Sequence, residues 1–96
     1  MIIGALIQQP SDRLDYDVDY SDWFVGQSSD FIIGALATVD IEGLTVSTVI
    51  PPDDKQMVKL WIQDGEPNVT YQVELQISTN AGRIKEVEIE VTIEEF

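Results

Sequence analysis

Apolar and polar residues alternate with a period of two through most of this chain. The clearest case is the stretch VTYQVELQIST, where every second residue is apolar: Val69, Tyr71, Val73, Leu75 and Ile77. Successive side chains of a β-strand point to opposite faces of a sheet, so this pattern predicts a strand with one buried face. No segment shows a convincing period of 3.6, and the alternation therefore predicts an all-β protein.

Similar segments recur along the chain, separated by turn signals at a spacing of roughly 8–12 residues. In MVKLWIQ, for example, Val58, Leu60 and Ile62 form the predicted inward set. Six or seven short strands in 96 residues are typical of an immunoglobulin-like β-sandwich of antiparallel strands. A β-barrel with a similar number of strands is the structural alternative.

Two segments depart from simple alternation. In RIKEVEIEVTIEE the pattern starts with Ile84 inward and then slips by one residue to Val87, which predicts a β-bulge near Lys85 and Glu86. In FIIGALATVD apolar residues fall on both faces, with Ile33 on one side and Ile32 and Leu36 on the other. That second pattern predicts a strand covered on both sides.

Tyr71 follows directly on a turn segment, GEPN, at the start of its strand. In immunoglobulin-like folds a tyrosine at this corner hydrogen-bonds back to the loop backbone. The position fits that role, and it fits equally well an ordinary core tyrosine at a strand start. Trp23 and Phe24, which follow an acidic strand, are expected to close one end of the core.

The N-terminal stretch MIIGALIQQP is apolar and precedes the main series of strands. It lacks a basic start and a run of 18 apolar residues, so neither a secretory signal nor a membrane span is expected. We divide the chain into an arm and linker, residues 1–13, and a sandwich domain, residues 14–96. The arm either pairs as an edge strand of its own domain or completes the sheet of a neighbour. Its apolar residues are candidate interface residues: Ile2, Ile3, Leu6 and Ile7.

Trp61 is the other candidate interface residue. It lies between Leu60 and Ile62, and so it points away from the inward set of its strand. Outward tryptophans are enriched at binding hot spots. The alternative is that a second layer of the same protein covers the ring.

Composition restricts the chemistry that the chain can perform. It has neither histidine nor cysteine, which excludes a Ser-His-Asp triad, thiolate metal sites and disulfides. Two-carboxylate or Ser-Lys catalysis remains a formal option, but so small a domain has little room for a substrate cleft. We therefore expect a protein that is not an enzyme and has no cofactor.

The charge is strongly acidic, with 5 Lys and Arg against 18 Asp and Glu, a net charge of −13. Such a surface repels phosphate groups, so neither nucleic acid nor an anionic membrane is an expected partner. It also keeps a β-rich protein soluble and discourages edge-to-edge pairing of its sheets.

The stretch DYDVDYSDWF resembles a calcium loop, because Asp15, Asp17, Asp19 and Asp22 are closely spaced. An EF-hand loop that starts at Asp15 needs glycine at its sixth position and glutamate at its twelfth. This sequence has Tyr20 and Gly26 there. Aspartates on alternate positions of a strand lie about 6.6–7 Å apart and do not converge on one ion. We therefore predict a solvated acidic face and no metal site; a site built from Asp22 and loop acids stays open.

Several short motifs occur here in a fixed order. They are Asp15-Tyr16 with Asp19, Trp23, Gly43 to Val46, Val58 with Trp61, Gly65, Tyr71 with Val73, and Thr79 with Gly82-Arg83. In this order and spacing, residues 14–93 resemble small immunoglobulin-like structural proteins of tailed bacteriophages, of the fiber-tail adaptor type.

The resemblance implies a non-enzymatic virion protein, made in the cytoplasm of the bacterial host, that joins the tail to fibers or to other tail proteins. Multiple copies in a symmetric assembly are implied as well. Similar sandwiches also serve as head decoration, cement or head–tail joining proteins. A protein of that kind, located at the head, is the first alternative. A calcium-dependent module that binds surfaces or carbohydrate is the second.

Overall fold

A computed structural model of the protein describes residues 2–26 and 29–95. Within these ranges the secondary structure is entirely β, and no helix is long and apolar enough to span a bilayer. There are seven strands: β1 (Ile2–Gln8), β2 (Arg13–Asp19), β3 (Ile32–Val39), β4 (Leu44–Val49), β5 (Met57–Asp64), β6 (Thr70–Thr79) and β7 (Ile84–Ile93).

The strands form two sheets that pack face to face. One sheet has four strands in the order β1-β7-β6-β3, and the other has three in the order β2-β5-β4. The sheet of β2, β5 and β4 thus lies opposite the sheet that contains β7, β6 and β3. This is the immunoglobulin-like arrangement. The predicted β-sandwich is confirmed, and the two separate sheets do not close into a barrel.

One pairing differs from the predicted antiparallel arrangement, because β1 runs parallel to β7. The chain leaves β1 through the turn at Pro10 and crosses directly to β2 in the opposite sheet. No hairpin joins β1 to its neighbour β7, so nothing in the connection requires the two strands to run in opposite directions.

The core lies between the sheets and consists of the predicted alternating residues. Val58, Leu60 and Ile62 of β5 are completely buried, as are Val73, Leu75 and Ile77 of β6. Phe24 is also buried and closes one end of the core, as predicted. Its ring meets that of the partly buried Trp23 edge-to-face, with the ring centroids 5.0 Å apart.

The predicted phase slip in β7 is wrong. Ile84 is 66% exposed, and β7 pairs with β6 without a register shift from Ser78–Ile84 to Thr70–Thr92. Lys85 occupies the inward-facing position of the alternation, ahead of Val87. A lysine is tolerated there because it lies at the strand end, where its stem can pack while the ammonium reaches water.

The irregularity lies in β3 instead, where the pairing register with β6 shifts between Ile32 and Gly34. The extra residue of this bulge keeps both Ile32 and Ala35 on the core side. Ile33 and Leu36 remain 58% and 60% exposed, so nothing among the described residues covers the outer face of β3. The prediction that this strand is covered on both sides is therefore wrong.

Tyr71 forms the predicted corner. Its hydroxyl oxygen accepts a hydrogen bond from the backbone N–H of Glu66, 3.0 Å away, in the turn between β5 and β6. Gly43 lies against the same hydroxyl: a Cβ at this position would be 2.6 Å from the Tyr71 oxygen, and its φ is +121°. Glycine is required here both by the backbone conformation and by the close approach of the tyrosine.

Candidate functional site

Trp61 lies at the centre of the outer face of the three-stranded sheet, where the register pairs it with Asp15 of β2 and Ser47 of β4. The ring is partly exposed, and no second layer covers it within residues 2–26 and 29–95. The guanidinium carbon of Arg13 is 4.3 Å from the ring centroid, a cation–π contact. The contact favours this orientation of the indole ring. We call Arg13, Val49, Lys59 and Trp61 the Trp61 face.

The aspartates of the opening acidic stretch are used on this same face. Lys59 lies 2.9 Å from Asp17 and 3.5 Å from Asp15, measured from Nζ to the carboxylate oxygens. The hydrogen bond to Asp17 raises the pKa of Lys59 above its ordinary value. A single lysine of the neighbouring strand thus pairs with two of the suspected calcium ligands, and within the described part of the chain no cluster of three or more acidic side chains could hold a metal ion.

β1 carries the other predicted interface residues, and in this structure it pairs with β7 of its own chain. Ile7 is 61% exposed, while Leu6 packs partly against the core. The side chains of Ile2 and Ile3 lie outside the described residues. Trp61 is on the outer face of the other sheet, so the structure does not bring the predicted residues together into one patch.

Gln8 fixes the end of β1 between the two sheets. Its side chain is 1% exposed, and its amide nitrogen donates to the Ile62 carbonyl oxygen at 2.9 Å. The Tyr16 hydroxyl donates to the Gln8 amide oxygen at 2.8 Å. Both ends of the buried amide are therefore paired, and β1 is tied to β2 and β5 as well as to β7.

Sequence reasoning missed an apolar surface on the outer face of the four-stranded sheet. Ile33, Leu36 and Ile84 are each more than half exposed, and we call them the aliphatic patch. Gly34 lies between these side chains and leaves a hollow there, since a Cβ at this position would be only 2.8 Å from the Ser78 hydroxyl. The sequence did carry a signal for this surface, because apolar residues fall on both faces of β3. The signal was not recognised because the bulge was predicted in β7 and not in β3.

Acidic side chains border the aliphatic patch on the same outer face. Glu86 and Glu88 of β7 and Glu74 of β6 follow one another along the two strands. A hydrogen bond with Glu86 and the charge of that neighbour raise the pKa of Glu74 above its ordinary value. Like charges are therefore crowded here, and a second copy placed face to face would add more of them.

Comparison with known proteins assigns the family. Residues 8–92 match the family described as podophage GP4 fiber-tail adaptor protein gp77. No curated protein matches the chain. The matched residues include all of β2 to β6, nearly all of β7 and the Gln8 anchor. The chain therefore belongs to the podophage GP4 fiber-tail adaptor protein gp77 family, whose role in the virion is structural.

Proposed function

We propose that this protein is a non-enzymatic adaptor that joins the phage tail to its fibers or to another tail protein. The observation that carries the proposal is the presence of two candidate contact surfaces, one around an outward tryptophan and one aliphatic, on opposite outer faces of one sandwich. The Trp61 face lies on the three-stranded sheet, and the aliphatic patch lies on the four-stranded sheet. An adaptor has to contact two proteins at once, and this arrangement offers one surface to each.

The fold suits such a role because it is a stiff spacer. Packed sheets lie about 10 Å apart, so the two outer faces stay at a fixed distance and point in opposite directions. The core between them is completely buried along β5 and β6. A partner bound to one face is therefore held in a defined orientation relative to a partner on the other.

In the proposed assembly the N-terminal arm and linker, residues 1–13, add a third contact. Ile7 and the exposed part of Leu6, together with Ile2 and Ile3, meet a neighbouring subunit, while residues 14–96 form the rest of the sandwich. Support comes from the exposure of Ile7 and from the position of β1 at the edge of its sheet. Edge strands with apolar side chains are favourable sites for contact between chains.

Several copies around a symmetric ring would present these faces repeatedly, as is usual for assemblies of identical subunits. The net charge of −13 keeps free subunits apart before assembly. The partners are other virion proteins, and neither nucleic acid nor membrane is among them. The alternative is that the protein is located on the head, as a decoration or joining protein.

Single substitutions on the two faces test the proposal. We expect Trp61→Ala and Leu36→Glu each to leave the subunit folded but to break a different contact. One variant should be lost from purified particles, and the other should stay on particles that lack fibers. Ser47→Ala and Thr38→Ala, on the same faces, serve as controls. Particles with full subunit and fiber content in both test variants would contradict the proposal.

A further inference from the structure

β3 forms the open edge of the four-stranded sheet. The strand order β1-β7-β6-β3 places β6 on one side of β3 and, within the described residues, no strand on the other. The segments before and after β3 lead to β2 and β4, which belong to the opposite sheet. Both ends of the described chain lie on β1 and β7, at the far edge of the four-stranded sheet. The open side of β3 therefore follows from the order of internal strands.

Every second residue of β3 directs its backbone groups toward this open side. The Asp40 N–H donates to the Gln72 carbonyl at 3.1 Å, so these two residues occupy a hydrogen-bonded position between the strands. Hydrogen-bonded and non-hydrogen-bonded positions alternate along antiparallel strands. Ala35, Ala37 and Val39 lie at the non-hydrogen-bonded positions opposite β6, and their N–H and C=O groups therefore point away from it.

Little of this backbone edge is used by the chain itself. The Thr48 hydroxyl of β4 donates to the Ala35 carbonyl at 3.1 Å. Within residues 2–26 and 29–95, the N–H groups of Ala35, Ala37 and Val39 have no acceptor. All three residues are partly exposed, so these donors bond to water unless another strand pairs with them. A row of outward donors and acceptors on an edge strand is a template for a further strand.

The strands on this side of the sandwich carry no charge, although the chain as a whole has a net charge of −13. Residues 31–39 and 43–52 are runs of nine and ten uncharged residues, and they contain all of β3 and β4. By contrast, β2 is an edge strand of the other sheet and has four charged residues in Arg13–Asp19. Charged side chains normally protect an edge strand from pairing. The expectation that acidity discourages edge-to-edge pairing therefore does not hold at β3.

A second copy of β3 fits this edge. Two such strands can pair antiparallel about a two-fold axis at Ala37, so that Ala37 meets its counterpart and Ala35 meets Val39. Each outward N–H group then has a carbonyl acceptor on the other copy. The small side chains of Ala35 and Ala37 let the two edges approach closely. The strand has no charge by which it could select a foreign partner of opposite charge.

The acidic residues of the two copies stay apart in this arrangement. Glu74, the acidic residue of β6 nearest to the edge, lies opposite Thr38 and thus one strand inward. The Glu74 residues of two paired copies would be at least three strand spacings apart, about 14 Å. This distance exceeds the Debye length of about 8 Å at physiological ionic strength. Edge pairing therefore avoids the crowding of like charges that face-to-face contact would produce.

We propose that β3 is a contact between two copies of this chain, which pair edge to edge and join their four-stranded sheets into one continuous sheet. The aliphatic patches of the two copies then lie on the same outer face, on either side of the two-fold axis. The net charge of −13 opposes the approach of free subunits, so the pairing is weak at low salt and stronger where the charge is screened. The inference goes beyond the adaptor role and does not depend on where in the virion the protein lies.

Sedimentation equilibrium of the full chain over a range of protein concentrations tests the proposal. We expect a reversible equilibrium between monomer and dimer that shifts toward the dimer as sodium chloride is added. Ala37→Pro removes an N–H that the chain's own sheet does not use, at an edge position where proline is tolerated. It should weaken dimerisation about tenfold or more, because each copy loses the central hydrogen bond. Ala37→Ser keeps the N–H and should change dimerisation less than about threefold.

Hydrogen exchange on the unmodified chain provides a test that does not require the proline variant to fold. The amides of Ala35, Ala37 and Val39 should exchange rapidly in dilute solution and more slowly as the protein concentration rises. The amides of β5, at the centre of the other sheet, should be protected at every concentration.

Three results would overturn the proposal: a chain that stays monomeric at every protein and salt concentration, dimerisation unchanged by Ala37→Pro, or no concentration-dependent protection of these three β3 amides. Protection that arises only when another virion protein is added would also overturn it, because the edge would then bind a foreign strand.

Discussion

The guanidinium group of Arg83 lies 2.6 Å from the carboxylate of Asp30, measured from Nη1 to Oδ2. Asp30 is 6% exposed and also accepts a hydrogen bond from the Ala81 N–H at 2.9 Å. The pair ties the β6–β7 hairpin to the segment that leads into β3. This contact explains why an arginine follows the turn glycine Gly82 in the closing motif of the sequence.

We predict that Asp30 makes the stability of the protein sensitive to acid. Burial by itself would raise its pKa, but hydrogen bonds from Thr79, Ala81, Arg83 and Phe31 outweigh it and hold the pKa below the usual carboxyl range. A depressed folded-state pKa stabilises the fold above the ordinary carboxyl pKa, near 3.9, and this contribution is lost as the pH falls through the folded-state value.

Urea denaturation of Asp30→Asn between pH 7 and pH 3 checks this prediction. The variant should be less stable than the parent protein at pH 7, and the difference should shrink as the pH is lowered. Asp53→Asn, an exposed carboxylate on the loop after Pro51, is the control and should change little. A difference between Asp30→Asn and the parent that does not depend on pH would contradict the role of the ionised carboxylate.

Two tyrosines allow a matched test of the Tyr71 corner. Tyr71→Phe leaves the Glu66 N–H without its acceptor and should lower the free energy of unfolding by about 1–2 kcal/mol. Tyr20→Phe removes a hydroxyl that has no partner among residues 2–26 and 29–95, and should not lower it. Chemical denaturation of both variants measures the difference. Equal losses in the two would show that the corner hydrogen bond contributes nothing.

Gln8 should control how firmly β1 is held. Gln8→Leu removes the hydrogen bonds to Ile62 and Tyr16 and should cost about 1–3 kcal/mol of stability. The amides of β1 should then exchange faster than those of β5. The control is Gln9→Leu, since the Gln9 side chain makes no hydrogen bond within the described part of the chain. Unchanged exchange in β1 of the Gln8 variant would contradict the anchoring role.

Alternation along the chain was sufficient to predict the strands and the inward residues of β5 and β6, because each depends on local spacing. The turn before Tyr71 suggested the corner but left an ordinary core tyrosine equally possible, and the hydrogen bond to Glu66 decides between them. The bulge could not be located from the sequence. Ile84 is apolar but exposed, and Lys85 is charged but faces inward at a strand end. Apolar periodicity assigns both residues to the wrong face of the sheet. It takes no account of the length of a lysine side chain, whose ammonium can reach water from an inward position at a strand end.

The candidate surfaces were predicted only in part for a similar reason. The outward direction of Trp61 follows from its neighbours in β5, but its contact with Arg13 depends on the pairing of β5 with β2. The aliphatic patch joins residues of β3 and β7, which are separated by β6 in the sheet. Contacts between residues distant in sequence need the sheet order, and the sequence pattern does not contain it.

Cryo-electron microscopy of the parent virion can show whether this protein joins the tail to the fibers. We expect repeated copies of this chain at the junction of tail and fibers, with Trp61 buried by one protein and Leu36 by another. Density for the chain on the capsid shell alone, or at the junction with both faces open to solvent, would contradict it.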